Sequence, residues 1–311
     1  MRAMSEAIAF DAFGGPDVLH LADVDVPEPG PGQVRIAVKA AGINPLDWKI
    51  RHGYMEAMFP VEFPHVPGIE LSGVVDALGA DVTGLKVGDE VFGAGERAYA
   101  DHALASVNRL ARKPSDLDWE RAAGIQVAAE SALRALEELR LGRGETLLVT
   151  GAAGVVGTFA VQFALARGAK VIGAARATRR AELESLGAAA VTLDEDLAAR
   201  TKVVSPKGID AALDLVGGEM SLSGAVAAAE GGERVLSLVD PQTAHGVGAR
   251  FSGGSPEDAF TRPALDQALA LHAKGDLALR VHAAYPLAKA AEAHRAGEAD
   301  SLTVTLRELP D

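Results

Sequence analysis

Two kinds of hydrophobic patterning divide the chain. From about Ser5 to Leu110 the apolar residues come in short alternating runs, Val34-Arg-Ile-Ala-Val-Lys39, Leu71-Ser-Gly-Val-Val-Asp76 and Glu90-Val-Phe92, set between turns such as Pro27-Glu-Pro-Gly-Pro-Gly32 and Val87-Gly-Asp89. Period-two alternation between Gly- and Pro-rich turns marks strands with one buried face, and the spacing predicts a small barrel-like β domain. From Asp118 the texture changes. Residues 119–141 are alanine-rich with helical periodicity, and strands then alternate with helices to about Val281. Strand candidates at 146–150, 170–174, 190–193, 211–216, 234–239 and 279–283 predict a doubly wound sheet of six parallel strands. The tail, from about Tyr285, predicts one helix over 287–296 and a last strand over 301–306 that return to the first domain and make it discontinuous.

One stretch carries a chemical signal. Thr146-Leu-Leu-Val-Thr-Gly-Ala-Ala-Gly-Val-Val-Gly157 reads as a buried strand, a glycine turn and a helix. It follows the dinucleotide fingerprint G-x-G-x-x-G with Ala152 in the first slot, then Gly154 and Gly157. In that motif the first small residue permits a tight exit from the strand. The second lets the backbone approach a pyrophosphate, and the third lets helix and strand pack closely. The N–H groups of Ala153, Gly154, Val155, Val156 and Gly157 would then meet the phosphates at a helix N-terminus.

The second strand ends in Ala174-Ala-Arg-Ala-Thr-Arg-Arg180, with no acid before Glu182. Sites that prefer NAD place Asp or Glu about 20 residues after the first glycine, on the ribose 2′-OH. An acid would repel a 2′-phosphate, whereas Arg176 and Arg179 would neutralise it and can bind it bidentately. A basic first turn is also mildly unfavourable against the helix dipole, which favours a ligand as its reason. The expected coenzyme is NADPH.

Composition narrows the alternatives. The 311 residues, 48% of them hydrophobic, are enough for two domains with separate cores. A formal net charge of −13 argues against nucleic acid or an anionic membrane as a partner. The chain has no cysteine, which excludes disulfides, thiolate nucleophiles and cysteine-ligated zinc. It opens with no basic segment followed by an apolar core, and no apolar run approaches the roughly 20 residues that span a bilayer. A soluble cytoplasmic protein is expected.

The order of a barrel-like domain, the fingerprint and a short return strand resembles the medium-chain dehydrogenase/reductase superfamily. Within it the chain is similar to the zinc-independent quinone oxidoreductase and enone reductase branch. The resemblance rests on Ala41-Gly-Ile-Asn-Pro-Leu-Asp-Trp-Lys49, Val66-Pro-Gly-Ile-Glu-Leu-Ser-Gly-Val-Val75, Val87-Gly-Asp-Glu-Val91, Gly151-Ala-Ala-Gly-Val-Val-Gly157 and Leu213-Asp-Leu-Val-Gly-Gly218. It implies a GroES-like β-barrel catalytic domain over 1–118 plus 284–311, and a Rossmann doubly wound six-stranded parallel sheet domain over 119–283. Zinc-dependent relatives carry a His between the residues matching Gly68 and Glu70 and a Cys near Asn44; here Ile69 stands between them and no Cys is present. A side-chain or backbone donor must therefore polarise the carbonyl in place of a metal.

What the resemblance implies is hydride transfer from NADPH to a quinone or an α,β-unsaturated carbonyl. Lys49 is the expected donor to the developing oxyanion, with Asp47 holding it charged and oriented. Asn44 offers an amide donor, and Tyr54 a hydroxyl that can relay a proton. Ser131 stands where the family has a hydroxyl beside the coenzyme, Val216, Leu238 and Val239 at strand ends, and Phe251 in a loop near the nicotinamide. Two alternatives stay open: a biosynthetic enoyl reductase or cyclase, and a non-catalytic NADPH-binding protein. Family members commonly pair into homodimers through edge strands, for which 279–283 is the candidate.

Overall fold

The computed structural model describes residues 4–254, 260–300 and 304–307. The chain forms two compact units, Met1–Val127 with Thr261–Ala268 and Leu279–Asp311, and Ala128–Phe260 with Leu269–Ala278.

In the first unit β1 (Met4–Ala9) and β2 (His20–Asp25) form an antiparallel ribbon. The long strand β3 (Gln33–Ile43) buries Val34, Ile36 and Val38 and leaves Arg35, Ala37 and Lys39 half-exposed. This is the alternation of a sheet with one face on a core. The helix α1 (Pro45–Arg51) follows at once, then β4 (Glu70–Leu78), β5 (Glu90–Ala94), β6 (His102–Ser106) and β7 (Leu110–Arg112). β3 pairs antiparallel with β4 and β6, β4 with β5, and β5 with β7. Ile36, Leu71, Val75, Val91 and Leu110 meet in the core of this sheet. Full burial of each such side chain stabilises by about 1.5–3 kcal/mol. The helical stretch predicted over 119–141 is two helices, α2 (Trp119–Ala123) and α3 (Gln126–Glu138). Gly124 closes the first, and helix periodicity does not register that break.

The second unit takes in the body of α3 and then alternates strand and helix. Its elements are β8 (Thr146–Thr150), α4 (Val155–Ala166), β9 (Lys170–Ala175), α5 (Arg180–Ser185), β10 (Ala189–Thr192), α6 (Leu197–Val204), β11 (Ala211–Asp214), α7 (Gly218–Ala228), β12 (Val235–Ser237), α8 (Pro241–Gly246) and β13 (Arg250–Phe251). The sheet order is β10-β9-β8-β11-β12-β13, with every neighbouring pair parallel. This is a doubly wound sheet, and its winding reverses between β8 and β11, the place where ligands of such sheets bind. The sixth strand is Arg250–Phe251 and not residues 279–283. Two residues are too few to show a period, whereas Leu279, Val281 and Ala283 alternate without gaining a partner in this sheet. The segment 279–283, the candidate dimer edge, is therefore not an edge strand of this sheet.

After α9 (Thr261–His272), the strand β14 (Ala283–Pro286), the helix α10 (Ala290–Asp300) and the strand β15 (Val304–Arg307) complete the first unit's sheet. β15 pairs antiparallel with β3, Leu306 opposite Ala41, and β14 pairs parallel with β15. Residues 301–303 of the predicted last strand lie outside the described residues.

Candidate active site

In the first unit the site candidates cluster where β3 runs into α1. Asn44 is the last extended residue, and Pro45 takes the first helical position, where a missing N–H is no loss. Asp47 folds back so that its Oδ2 accepts the Asn44 N–H at 2.8 Å. Tyr99 Oη donates to the same oxygen at 3.2 Å. Asp47 is 1% exposed, whereas Lys49 is exposed, and no ion pair joins them. Asp47 therefore does not orient Lys49: residues two apart on a helix face different directions, and this carboxyl caps the helix from inside. Tyr54 follows α1 in a turn, 75% exposed, its ring stacked on His52 with centroids 5.0 Å apart and planes at 9°.

Asn44 is held from a second side. Its Nδ2 donates to Glu70 Oε1 at 2.9 Å, and Glu70 Oε2 accepts the Val127 N–H at 2.9 Å. Burial pushes Glu70 up to about 7, against the pull of the Val127 and Asn44 hydrogen bonds. Burial likewise raises Asp47 to about 7, opposed by its Asn44 and Tyr99 bonds and by the nearby Gly68 N–H, which does not complete a hydrogen bond to Oδ1.

A polar chain continues inward. His294 Nε2 lies 3.2 Å from Tyr99 Oη, and His294 Nδ1 lies 2.6 Å from Arg51 Nη1. Arg51, wholly buried, also donates to Gly14 O at 3.0 Å, His52 Nε2 at 2.9 Å and Glu298 Oε1 at 2.6 Å. Burial and the Arg51 charge hold His294 down at about 3, so it is neutral.

The second unit supplies the glycine turn. β8 ends at Thr150, Gly151 turns the chain at φ 67°, and Gly154 stands before α4. The left-handed turn thus falls on Gly151, one residue ahead of the slot given to Ala152, which is buried. A Cβ on Gly157 would stand 2.3 Å from Gly151 O and 2.7 Å from Ala152 Cα, so only glycine lets helix and strand lie this close. The Thr158 N–H reaches Gly154 O at 2.9 Å. Val155, Val156 and Gly157 before it occupy the first turn, where N–H groups have no intrahelical acceptor and suit an anion. Ala153 lies in the turn itself, half-buried. These donors and the absence of a side chain at 154 and 157 fit the pyrophosphate of a dinucleotide.

Around this turn Asp214 ties the strand ends together, accepting from Thr150 Oγ1 and Ser221 Oγ at 2.7 Å, Ser237 Oγ at 2.8 Å and Gly217 N at 3.0 Å. It ends β11 and β12 earlier than predicted, so Val216, Leu238 and Val239 lie in the loops beyond them. Val216 and Val239 are 46% and 42% exposed, and Val216 lies over the turn, 3.0 Å from where a Cβ on Gly151 would stand. Ser131 is half-buried on α3, and Phe251 on β13 packs against the apolar cluster of Leu148, Val235 and Ala249.

The arginines follow β9, whose Ala174 pairs with Thr150 of β8. Arg179 donates through Nη2 to Ala153 O at 3.0 Å and binds both oxygens of Glu182. Arg180 pairs with Glu184 at 3.3 Å. Arg176 is exposed and, among the described residues, is the member of this trio without a carboxylate partner.

Comparison with known proteins agrees with this architecture. The family model described as "Alcohol dehydrogenase GroES-like domain" matches residues 30–115, and that described as "Zinc-binding dehydrogenase" matches residues 155–244. The quinone oxidoreductase of Pseudomonas aeruginosa is 32% identical over 317 aligned residues, 94% of this chain and 95% of that one. The chain belongs to the quinone oxidoreductase branch of the medium-chain dehydrogenase/reductase superfamily. The Lama guanicoe quinone oxidoreductase matches more closely over a shorter stretch, 39% of 178 residues, spanning 56% of this chain and 53% of its own. A mycobacterial protein solved in complex with NADPH superposes with a TM-score of 0.82 at 29% identity, covering 98% of this chain and 100% of that one.

As a member of this superfamily the protein is an oxidoreductase of the kind that uses a nicotinamide coenzyme. Three residues of this quinone oxidoreductase-type chain escaped the reading of its sequence: Glu70, Tyr99 and His294. Glu70 stood out only as the neighbour of an absent zinc ligand, and no motif singled out Tyr99 or His294. A signal for Glu70 was within reach: a charged residue opening a hydrophobic strand needs a buried partner.

Proposed function

We propose that the protein is an NADPH-dependent, metal-independent reductase of quinones or α,β-unsaturated carbonyls. The observation that carries the coenzyme reading is the hydrogen bond from Arg179 to Ala153 O, which holds the arginine-rich turn after β9 against the glycine turn before α4. Arg176, unpaired with any carboxylate among the described residues, is then the guanidinium available to a 2′-phosphate, and Arg179 keeps the turn in place. The mycobacterial neighbour solved with NADPH and the quinone oxidoreductase relatives support the same reading.

The chemistry the coenzyme supplies when bound is a hydride for an electron-poor carbon. The chain's own residues must stabilise the negative charge that develops on the acceptor's oxygen. Lys49, exposed at the end of α1, is the donor for that oxygen, a contribution of about 3–4 kcal/mol to the barrier. Tyr54, exposed and steadied by His52, delivers a proton through its hydroxyl. Asn44 faces the coenzyme or substrate with its amide. With no cysteine in the chain and Ile69 between Gly68 and Glu70, no metal is assigned to this work.

Steady-state oxidation of NADPH and NADH against a panel of quinones and enones tests the proposal. Turnover with NADPH and at least one acceptor class is expected. Tight NADPH binding with no acceptor reduced would replace it with a non-catalytic binding role.

A further inference from the structure

We infer that Glu70 is a positioning residue for the reaction: it fixes which end of the Asn44 amide is offered to the coenzyme or substrate. The inference rests on the reading of Asn44 given above. A side-chain amide is nearly two-fold symmetric in shape, and only its hydrogen-bond partners decide where its oxygen and its nitrogen lie. Glu70 makes that decision. One carboxylate oxygen takes the Asn44 Nδ2 hydrogen bond at 2.9 Å and the other takes the Val127 N–H at 2.9 Å, so the group is pinned at both ends and cannot rotate. With both oxygens accepting, Glu70 takes an N–H from the amide and not its oxygen. Asn44 must therefore spend one N–H inward, while its Oδ1 turns to the Asp47 N–H of the capping box, and the second N–H is what it offers.

The site is built for that carboxylate. Gly42 stands opposite it, and a Cβ there would lie 2.1 Å from Glu70 Oε1 and 2.5 Å from Ala123 O. Room has been made for an acid that is 3% exposed. The Asn44 main chain is fixed independently, since its N–H is taken by Asp47 Oδ2 at 2.8 Å. Backbone and side chain of one residue are thus each clamped by a separate buried carboxyl. Capping the Val127 and Gln126 amides at the start of α3 offsets only part of what burying a carboxylate costs. Holding a catalytic amide in one orientation is a sufficient reason for keeping it there.

A double-mutant cycle decides the matter. Glu70→Gln keeps size and shape but offers its own NH2 to one of the two partners, so Asn44 can turn over. With NADPH saturating, kcat of Glu70→Gln should fall about tenfold, the scale of a displaced contact in an active site. In an Asn44→Ala background the same change should cost nothing further. An equal loss in both backgrounds would overturn the inference and leave Glu70 a structural acid, while the reading of Asn44 survives. An Asn44→Ala enzyme with unaltered kcat and KM would instead overturn that reading, and the inference with it. Thermal melting of all four proteins is recorded alongside. If Glu70→Gln melts below the assay temperature, Glu70→Asp, which withdraws the carboxylate by one methylene and keeps its charge, replaces it in the same cycle.

Discussion

Arg51 Nη1 meets His294 Nδ1 at 2.6 Å, and this contact sets the direction of the whole polar chain beneath α1. A guanidinium has only donors, so Nδ1 must accept and the imidazole proton sits on Nε2. His294 then donates to Tyr99 Oη, and Tyr99 donates to Asp47 Oδ2. The chain runs one way, from a buried cation to a buried carboxyl, and every member but Glu298 and His52 is shut away from water.

Glu298 is the counter-ion on which that arrangement depends. Its removal in Glu298→Ala leaves the Arg51 guanidinium buried without a carboxylate, which should destabilise the fold by about 3 kcal/mol, the lower end for a buried pair because Glu298 is itself partly solvated. Urea denaturation measures it. A loss below about 0.5 kcal/mol, the level of an ordinary surface change, would refute this account.

Stability should also depend on pH through the two raised carboxyls. Asp47 moves from 3.8 unfolded to about 7 folded, and Glu70 from 4.5 to about 7. Between those limits the folded chain holds protons that the unfolded chain has released, so their contribution is complete below pH 4 and is lost as pH rises towards 7. Comparison of wild type with Asp47→Asn between pH 5 and pH 8 removes one of them and relieves the part of the Glu70 shift that the Asp47 charge causes, while groups away from this pair cancel in the difference. The variant should gain on wild type as pH rises; a constant difference would place Asp47's folded value near its unfolded one.

Coenzyme choice is predicted to rest on Arg176. Arg176→Ala should raise KM for NADPH about tenfold or more, the worth of a lost charge-assisted contact, while KM for NADH moves less than twofold. Arg179→Ala should raise both, since Arg179 holds the turn through Ala153 O and Glu182. Equal effects of Arg176→Ala on the two coenzymes would remove the 2′-phosphate assignment.

Lys49 and Tyr54 are exposed, so their truncation should be silent in thermal melting. If they act on the acceptor, Lys49→Ala should lower kcat about 100-fold and Tyr54→Phe by about tenfold or more, with KM for NADPH unchanged. Unchanged kcat in Lys49→Ala would send the search for the oxyanion donor elsewhere.

Much of this molecule is legible from its residues in order. The glycine turn, the helix after it and the basic residues after β9 lie within one stretch of chain, so local periodicity and turn chemistry suffice to find them. The alternation of Val34, Ile36 and Val38 likewise declares a one-sided strand before any fold is known. The sixth parallel strand was misplaced because β13 is two residues long and is a strand only by virtue of the β12 edge beside it. Asp47 was misread for a related reason: its spacing to Lys49 is visible in sequence, whereas the Tyr99 that draws it inward is 52 residues away.

What the sequence by itself determined is therefore the set of elements, their alternating order and the dinucleotide turn, because each depends on neighbours within a few residues. What only the tertiary structure decided is the partnership of buried polar groups: Asn44 with Glu70, Tyr99 with His294, and Arg51 with Glu298 across 247 residues. A hydrophobic residue declares its inward face by period, but a polar one can be buried only where a complementary group arrives from elsewhere, and that meeting exists only once the chain has folded.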